Sequence, residues 1–312
     1  MSHQGSLSGS VRYFLFAILL LTSLTARASD PLVTASWMKE NLYAPGQVVL
    51  DLQPPAMYQR YHIPGAINAP YEFWRTGDDG APGMLPPLER LERMLGRLGV
   101  SADSHVVLTT TGLDANHLAE AARVFWTLKL LGHQRVSVLD GGLNTYANEF
   151  GGKLDSGKVK PRFANYTASP DFSLLVTGEQ MEQALKDGVT LVDGRSRGEY
   201  LGIVTGGDEE RAGTIPGAIN LPHHWLSEDS GGTLRDRASI ERLFDFAGAD
   251  TSAGAVHFCH TGSRAALNWF VDYAVLGNVG ARLYDGSMSD WARKEQERLG
   301  ERPVTDAVGL AE

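Results

Sequence analysis

Ile63-Pro64-Gly65-Ala66-Ile67-Asn68 recurs as Ile215-Pro216-Gly217-Ala218-Ile219-Asn220. Chance does not supply a six-residue identity in a chain of 312 residues, and internal repetition decides an architecture before any local pattern does. Landmarks on either side repeat in the same order. Upstream, Val48-Val49-Leu50-Asp51 answers to Thr190-Leu191-Val192-Asp193. Downstream, Val136-Ser137-Val138-Leu139-Asp140-Gly141 answers to Ala281-Arg282-Leu283-Tyr284-Asp285-Gly286. Each half also has a helical stretch ending in Leu-Gly, at Leu131-Gly132 and Leu276-Gly277, where glycine stands as a C-cap.

Short β-branched runs thus alternate with amphipathic helical runs in both halves. That alternation predicts an α/β fold of two tandem domains, each a small, mostly parallel sheet flanked by helices. The first is expected over residues 31–150 and the second over 171–302. Between them, residues 151–170 are rich in Gly, Lys, Ser and Pro, lack periodicity and read as a linker.

Composition narrows the function. With 43% hydrophobic and 21% charged residues the chain builds ordinary cores, and a formal net charge of −9 argues against nucleic-acid or anionic-membrane partners. Any anion site must therefore be local. At the amino end Arg12 precedes the apolar run Tyr13-Phe14-Leu15-Phe16-Ala17-Ile18-Leu19-Leu20-Leu21, and Ala26-Arg27-Ala28 supplies a small-x-small cleavage pattern. Residues 1–28 are expected to be a secretory signal peptide, since a bilayer span needs about 20 apolar residues. The mature protein is then expected to be periplasmic or secreted, without stable membrane insertion after cleavage.

Cys259 is the only cysteine, so no internal disulfide is open to it. It follows the apolar run Ala255-Val256-His257-Phe258 and precedes the helical pattern Ala265-Ala266-Leu267-Asn268-Trp269-Phe270. A strand that passes through a short Gly-containing loop into a helix aims backbone N–H groups and the positive end of the helix dipole at the first loop residue, which favours thiolate. The intervening His260-Thr261-Gly262-Ser263-Arg264 is polar, turn-forming and cationic. In the first half, Val106-Val107-Leu108 runs into Thr109-Thr110-Thr111-Gly112-Leu113-Asp114, which holds no cysteine. That half is expected to keep the scaffold and to wall the cleft.

Taken together, the duplicated Ile-Pro-Gly-Ala-Ile-Asn segment, Leu139-Asp140-Gly141-Gly142-Leu143, Asp193-Gly194-Arg195-Ser196, the loop from Cys259 to Arg264 and Tyr284-Asp285-Gly286-Ser287 resemble the rhodanese family of sulfurtransferases in its tandem two-domain form. The resemblance implies double displacement. A cysteine thiolate takes a sulfane sulfur from a donor such as thiosulfate or 3-mercaptopyruvate, holds it as a persulfide, and passes it to cyanide or a thiol. The loop amides, the helix N-terminus and Gly262, which lets the loop curl, suit a cradle for that anion. Arg264 is expected to steady the loop and add positive potential. No cofactor is implied.

Loop length separates this reading from its nearest rival. Cysteine-dependent phosphatases on a related fold place five residues between Cys and Arg, whereas Cys259 and Arg264 have four between them. Phosphatase or arsenate reductase activity is therefore a distant alternative. A non-catalytic persulfide carrier or thiol-based partner-binding module is the other. The loop shows neither the two cations often found in thiosulfate-type tandem enzymes nor the Cys-Gly-Ser-Gly-Val-Thr pattern of mercaptopyruvate-type ones, and its Cys-x-x-Gly-x-Arg form resembles bacterial rhodaneses. Arg264 and the absence of the mercaptopyruvate pattern favour thiosulfate as donor.

Glu199, ahead of Tyr200, replaces an arginine that binds substrate in the family, so it is expected to weaken binding of a doubly charged donor there, with Arg195, Arg197 or Arg211 as substitutes. Asp51 and His62 resemble first-domain residues linked to protonation in mercaptopyruvate enzymes, with hydrogen bonding at the domain boundary as the alternative. Arg75, in the first half, is expected to stand apart from the thiol. No metal site is expected: His223 and His224 are adjacent, so their rings diverge, and no third ligand is spaced nearby. They are expected to line the surface or the cleft.

Overall fold

The computed structural model describes residue 1 and residues 29–77, 81–205, 211–293 and 302–305. The predicted leader lies almost entirely outside the described residues. The repeated hexapeptide shows why it is repeated. Ala66 N donates to Ile63 O at 2.9 Å and Ala218 N to Ile215 O at 3.1 Å, with Gly65 at φ 76° and Gly217 at φ 78°. Proline at the second turn position and a left-handed glycine at the third are the demands of a type II turn. The isoleucine before each turn is buried, and the asparagine after it ties the sheet edge. Asn68 Nδ2 donates to Asp51 O and Gln53 O, and Asn220 Nδ2 to Asp193 O and Arg195 O.

Among the described residues, ten strands form two all-parallel sheets. The first contains β1 (Leu32–Val33), β2 (Gln47–Asp51), β3 (Ile67–Asn68), β4 (His105–Thr109) and β5 (Val136–Leu139), in the order β1-β5-β4-β2-β3. The second contains β6 (Leu175–Val176), β7 (Thr190–Asp193), β8 (Ile219–Asn220), β9 (Ala255–Phe258) and β10 (Arg282–Tyr284), in the equivalent order β6-β10-β9-β7-β8. β4 and β9 are buried along their whole length, as parallel strands covered on both faces must be.

Four longer helices matter for the site: α1 (Leu88–Arg97), α2 (Ala115–Leu130), α3 (Arg237–Ala247) and α4 (Ser263–Phe270). α2 follows β4, α4 follows β9, and the two pack on each other. Phe125 meets Phe270 edge-on at 4.9 Å between ring centroids, a geometry worth about 0.5–1.5 kcal/mol beyond its buried area. The interface is reciprocal. Asp140 of the first unit accepts from Leu234 N of the second at 2.8 Å, and Asp285 of the second accepts from Leu85 N of the first at 2.7 Å. The loops after β5 and β10 therefore both reach the opposite unit. The segment 151–170 runs along the first unit, where Ala164 N bonds Gly96 O and Ser169 N bonds Leu131 O.

Candidate active site

Cys259 is the first residue beyond β9 and is 1% exposed. Its backbone is held from both sides: the N–H donates to Ser287 Oγ at 3.1 Å and the carbonyl accepts from Met288 N at 3.0 Å. His260 O accepts from Ser289 N at 2.9 Å, so the chain after β10 clamps the loop. Ser287 adopts φ 51°, a left-handed conformation costing a non-glycine residue roughly 1–3 kcal/mol, and its hydroxyl also reaches Tyr284 O. Such strain is retained where surrounding contacts over-determine it, here at the clamp.

Gly262 is the N-cap of α4 at φ 73°, and no side chain caps the helix. The first-turn amides are thus left to whatever anion sits above Cys259. No larger residue fits at the cap, because a Cβ on Gly262 would lie 2.6 Å from Asp285 O and 2.4 Å from Arg123 Nη1.

Arg264 donates through both terminal nitrogens to Glu199, at 2.7 and 2.8 Å. Burial opposes the guanidinium charge, but the Glu199 carboxylate, with a smaller contribution from nearby Cys259, outweighs it and holds Arg264 above its ordinary value. Burial likewise pushes Glu199 upward, but hydrogen bonds from Arg264 and Ser196 bring it down to about 2. Glu199 is therefore not a free repelling charge at the cleft. It is the arm that holds Arg264, and it is itself held by Ser196 N at 3.1 Å and Ser196 Oγ at 2.6 Å.

The other expected cations are engaged elsewhere. Arg195 is buried on Asp193, with Nε 3.1 Å from each carboxylate oxygen, Nη2 2.7 Å from Oδ2 and 2.8 Å from Gly213 O. Arg197 lies over the Tyr200 ring, 5.2 Å from its centroid. Arg211 donates to Trp291 O and Arg302 O.

Asp51 and His62 are internal to the first unit. Asp51 accepts from Gln53 N and Gln53 Nε2, both at 2.9 Å, and burial without a paired cation raises its carboxyl to about 6. His62 stacks on Tyr58, with Nδ1 2.8 Å from Tyr58 O, and its backbone pairs with Asp155. No hydrogen bond among the described residues joins either side chain to the Cys259 loop. Asp51 and Gln53 stand where Asp193 and Arg195 stand in the second unit, which marks them as a shared structural device.

His223 is buried between the units rather than on the surface. Its Nε2 is 3.1 Å from Asn116 Oδ1 and its Nδ1 is 3.3 Å from Gly194 O. Burial, aided by Arg264, lowers it to about 4. The rings of His223 and His224 stand 85° apart.

The first unit contributes more than a wall. Tyr71 hydrogen-bonds Ser263, the first residue of α4, and Arg75 Nη2 donates to Thr261 Oγ1 at 3.3 Å. Buried Arg123, from α2, pairs with Asp285. Arg75 thus does not stand apart from the thiol loop. The repeat held a signal for these residues: Tyr71 follows Asn68 at the spacing by which His223 follows Asn220, and both meet the opposite unit.

Fold and site together define a tandem α/β protein with one cysteine on an uncapped helix terminus. The chain belongs to the rhodanese family: the rhodanese-like domain matches residues 34–149 and again 177–294. It is 32% identical over 281 residues to the thiosulfate sulfurtransferase of Cricetulus griseus, covering 83% of this chain and 91% of that one. Identity to the thiosulfate sulfurtransferase of Rattus norvegicus is 31% over 281 residues, covering 84% and 92%. Among solved structures it is similar to SseA of Escherichia coli, a 3-mercaptopyruvate sulfurtransferase, with a TM-score of 0.73 and 27% identity over 83% of this chain and 99% of that one.

Proposed function

We propose that the protein is a sulfurtransferase that carries one sulfane sulfur on Cys259 between a small anionic donor and a nucleophilic acceptor. The observation that carries this reading is the placement of Cys259 in the short loop between β9 and the uncapped N-terminus of α4, within electrostatic reach of an Arg264 that Glu199 fixes in place. The relatives named above are consistent with it.

With thiosulfate the step balances without an outside oxidant or reductant. The Cys259 thiolate attacks the outer sulfur, the S–S bond breaks, sulfite leaves with the bonding pair, and a cysteine persulfide anion remains. The loop amides and the dipole of α4 stabilise that charge. Cyanide or a thiolate then attacks the terminal sulfur, and the Cys259 thiolate is restored. Near-complete burial of Cys259 favours small donors.

Thiosulfate is favoured over 3-mercaptopyruvate by the absence of the Cys-Gly-Ser-Gly-Val-Thr loop pattern. The apolar run at 13–21 with Ala26-Arg27-Ala28 supports an exported, periplasmic or secreted enzyme. Steady-state turnover with thiosulfate and cyanide, and separately with 3-mercaptopyruvate and a thiol, tests the activity. Sustained turnover is expected with thiosulfate. Loading of Cys259 by another protein, without turnover of either small donor, would favour the carrier instead.

A further inference from the structure

If the family's donor-binding arginine is replaced by Glu199, and Glu199 is locked to Arg264, another cation must meet the donor. Arg195 is occupied by Asp193, Arg123 by Asp285 and Gly83 O, and Arg264 by Glu199. Arg75 differs from all three. It is half-buried, and no carboxylate among the described residues comes within ion-pair distance of it. Glu120, on α2, feels its charge only from farther away.

The Arg75 guanidinium is held in place with no carboxylate partner among the described residues. It lies over the Tyr71 ring, 5.4 Å from the centroid, and Gly83 closes on it so tightly that a Cβ there would meet Nη2 at 2.3 Å. Its Nε is buried with no hydrogen-bond partner among the described residues. Its Nη2 makes one long bond, 3.3 Å, to Thr261 Oγ1 in the Cys259 loop. A fixed cation that reaches the Cys259 loop through Thr261, two residues from the cysteine, is arranged to bind an oxyanion.

We propose that Arg75, from the domain that lacks the nucleophile, binds the anionic oxygens of the sulfur donor, so that the site is completed across the domain interface. The inference rests on the sulfurtransferase reading for the donor's identity. It assigns the first domain a role in donor recognition, which its scaffold alone does not require.

Sulfite is the probe, because it carries the donor's oxyanion but has no sulfur to transfer. The readout is the ratio of Cys259 alkylation rates by iodoacetamide with and without sulfite, at slightly alkaline pH, each referred to a free thiol in the same solution because sulfite itself consumes iodoacetamide. Wild type is expected to be protected. Arg75→Gln is expected to need about tenfold more sulfite for the same protection, and Arg75→Lys, which keeps a charge, to recover part of it. In turnover, Arg75→Gln is expected to raise the thiosulfate KM about tenfold, more than it lowers kcat.

A residue that merely braced the loop would change both alkylation rates together and leave their ratio alone. An unprotected wild type, or equal protection of wild type and Arg75→Gln, overturns the proposal. Protection that depends on Arg75, in a protein that never gains sulfur from thiosulfate, keeps the anion site and sinks the transfer reading instead.

Discussion

The loop after β4 and the loop after β9 leave equivalent sheet positions and enter equivalent helices, yet only the first is filled by its own chain. Thr110 takes the place of Cys259. Its carbonyl accepts from Leu143 N at 2.9 Å, as that of Cys259 accepts from Met288 N at 3.0 Å. At the helix terminus the two diverge. Asp114 caps α2, accepting from Asn116 N at 2.9 Å and His117 N at 3.0 Å, and so places a carboxylate on the terminal amides. Gly262 caps α4 with no side chain at all. Gly112, moreover, is packed so closely that a Cβ on it would sit 1.9 Å from Gly141 O. One scaffold thus carries a helix terminus closed by an acid in the first unit and one left without a side-chain cap in the second.

The largest effect should come from moving the nucleophile across this comparison. Cys259→Ser is expected to lower transfer by roughly a thousandfold or more, since a hydroxyl without a base is a poor nucleophile. Adding Thr110→Cys to that variant should restore nothing, because Asp114 already occupies the amides of α2. Sulfur appearing on residue 110 after incubation with thiosulfate would break the comparison.

Closing the open loop should come next. Gly262→Ala combines a left-handed φ with a backbone clash, and is expected to slow transfer at least about tenfold and to destabilise the fold by about 1–3 kcal/mol. Thermal unfolding and turnover, measured together, check it. Wild-type values for both would mean that the close approach of Asp285 and Arg123 to the cap is unimportant.

Glu199→Arg sharpens what Arg264 needs. Because Glu199 holds Arg264, a second guanidinium there is expected to lower kcat about tenfold rather than improve thiosulfate binding. A lower KM with kcat intact would instead mean that Glu199 repels the donor. The pH dependence has a definite sign. Glu199 is depressed to about 2, so the pair stabilises the fold above the unfolded glutamate value of about 4.3, and that contribution is lost as pH falls toward about 2. Glu199→Gln should therefore lose stability mainly above that window, by an amount read from unfolding curves over a pH series.

The duplicated sheets are legible in the sequence because each Ile-Pro-Gly turn and each strand is a local pattern that burial on both faces makes strongly apolar. The place of Cys259 between β9 and α4 follows from the same local grammar. What local patterns do not carry is the reach of one unit into the other. Tyr71 and Arg75 sit on a short turn whose partners, Ser263 and Thr261, lie far along the chain, and only the packing of α2 on α4 brings them together. Glu199 is misread for a related reason. Read alone it is a lost cation, and only the facing Arg264 makes it a support. Asp51 and Asp193 look interchangeable in sequence, but Gln53 stands by the first and Arg195 by the second.

That last difference gives the smallest expected effect. Asp51 is raised to about 6 by burial, so the folded state holds its proton where the unfolded chain has released it, and stability falls as pH rises from about 4 through about 6. Asp51→Asn is expected to flatten that slope in part and to raise stability above pH 6 by about 1–3 kcal/mol. The flattening is partial because Asp140 is also raised to about 6. Transfer should persist in this variant. Its loss would give the first-unit aspartate a part in the chemistry after all.

The most direct measurement is the intact mass of the protein after thiosulfate, before and after addition of cyanide. The account predicts a gain of one sulfur atom, its removal by cyanide, and no gain in Cys259→Ser. No gain in wild type, a gain that cyanide does not discharge, or a gain that survives loss of Cys259 would contradict it.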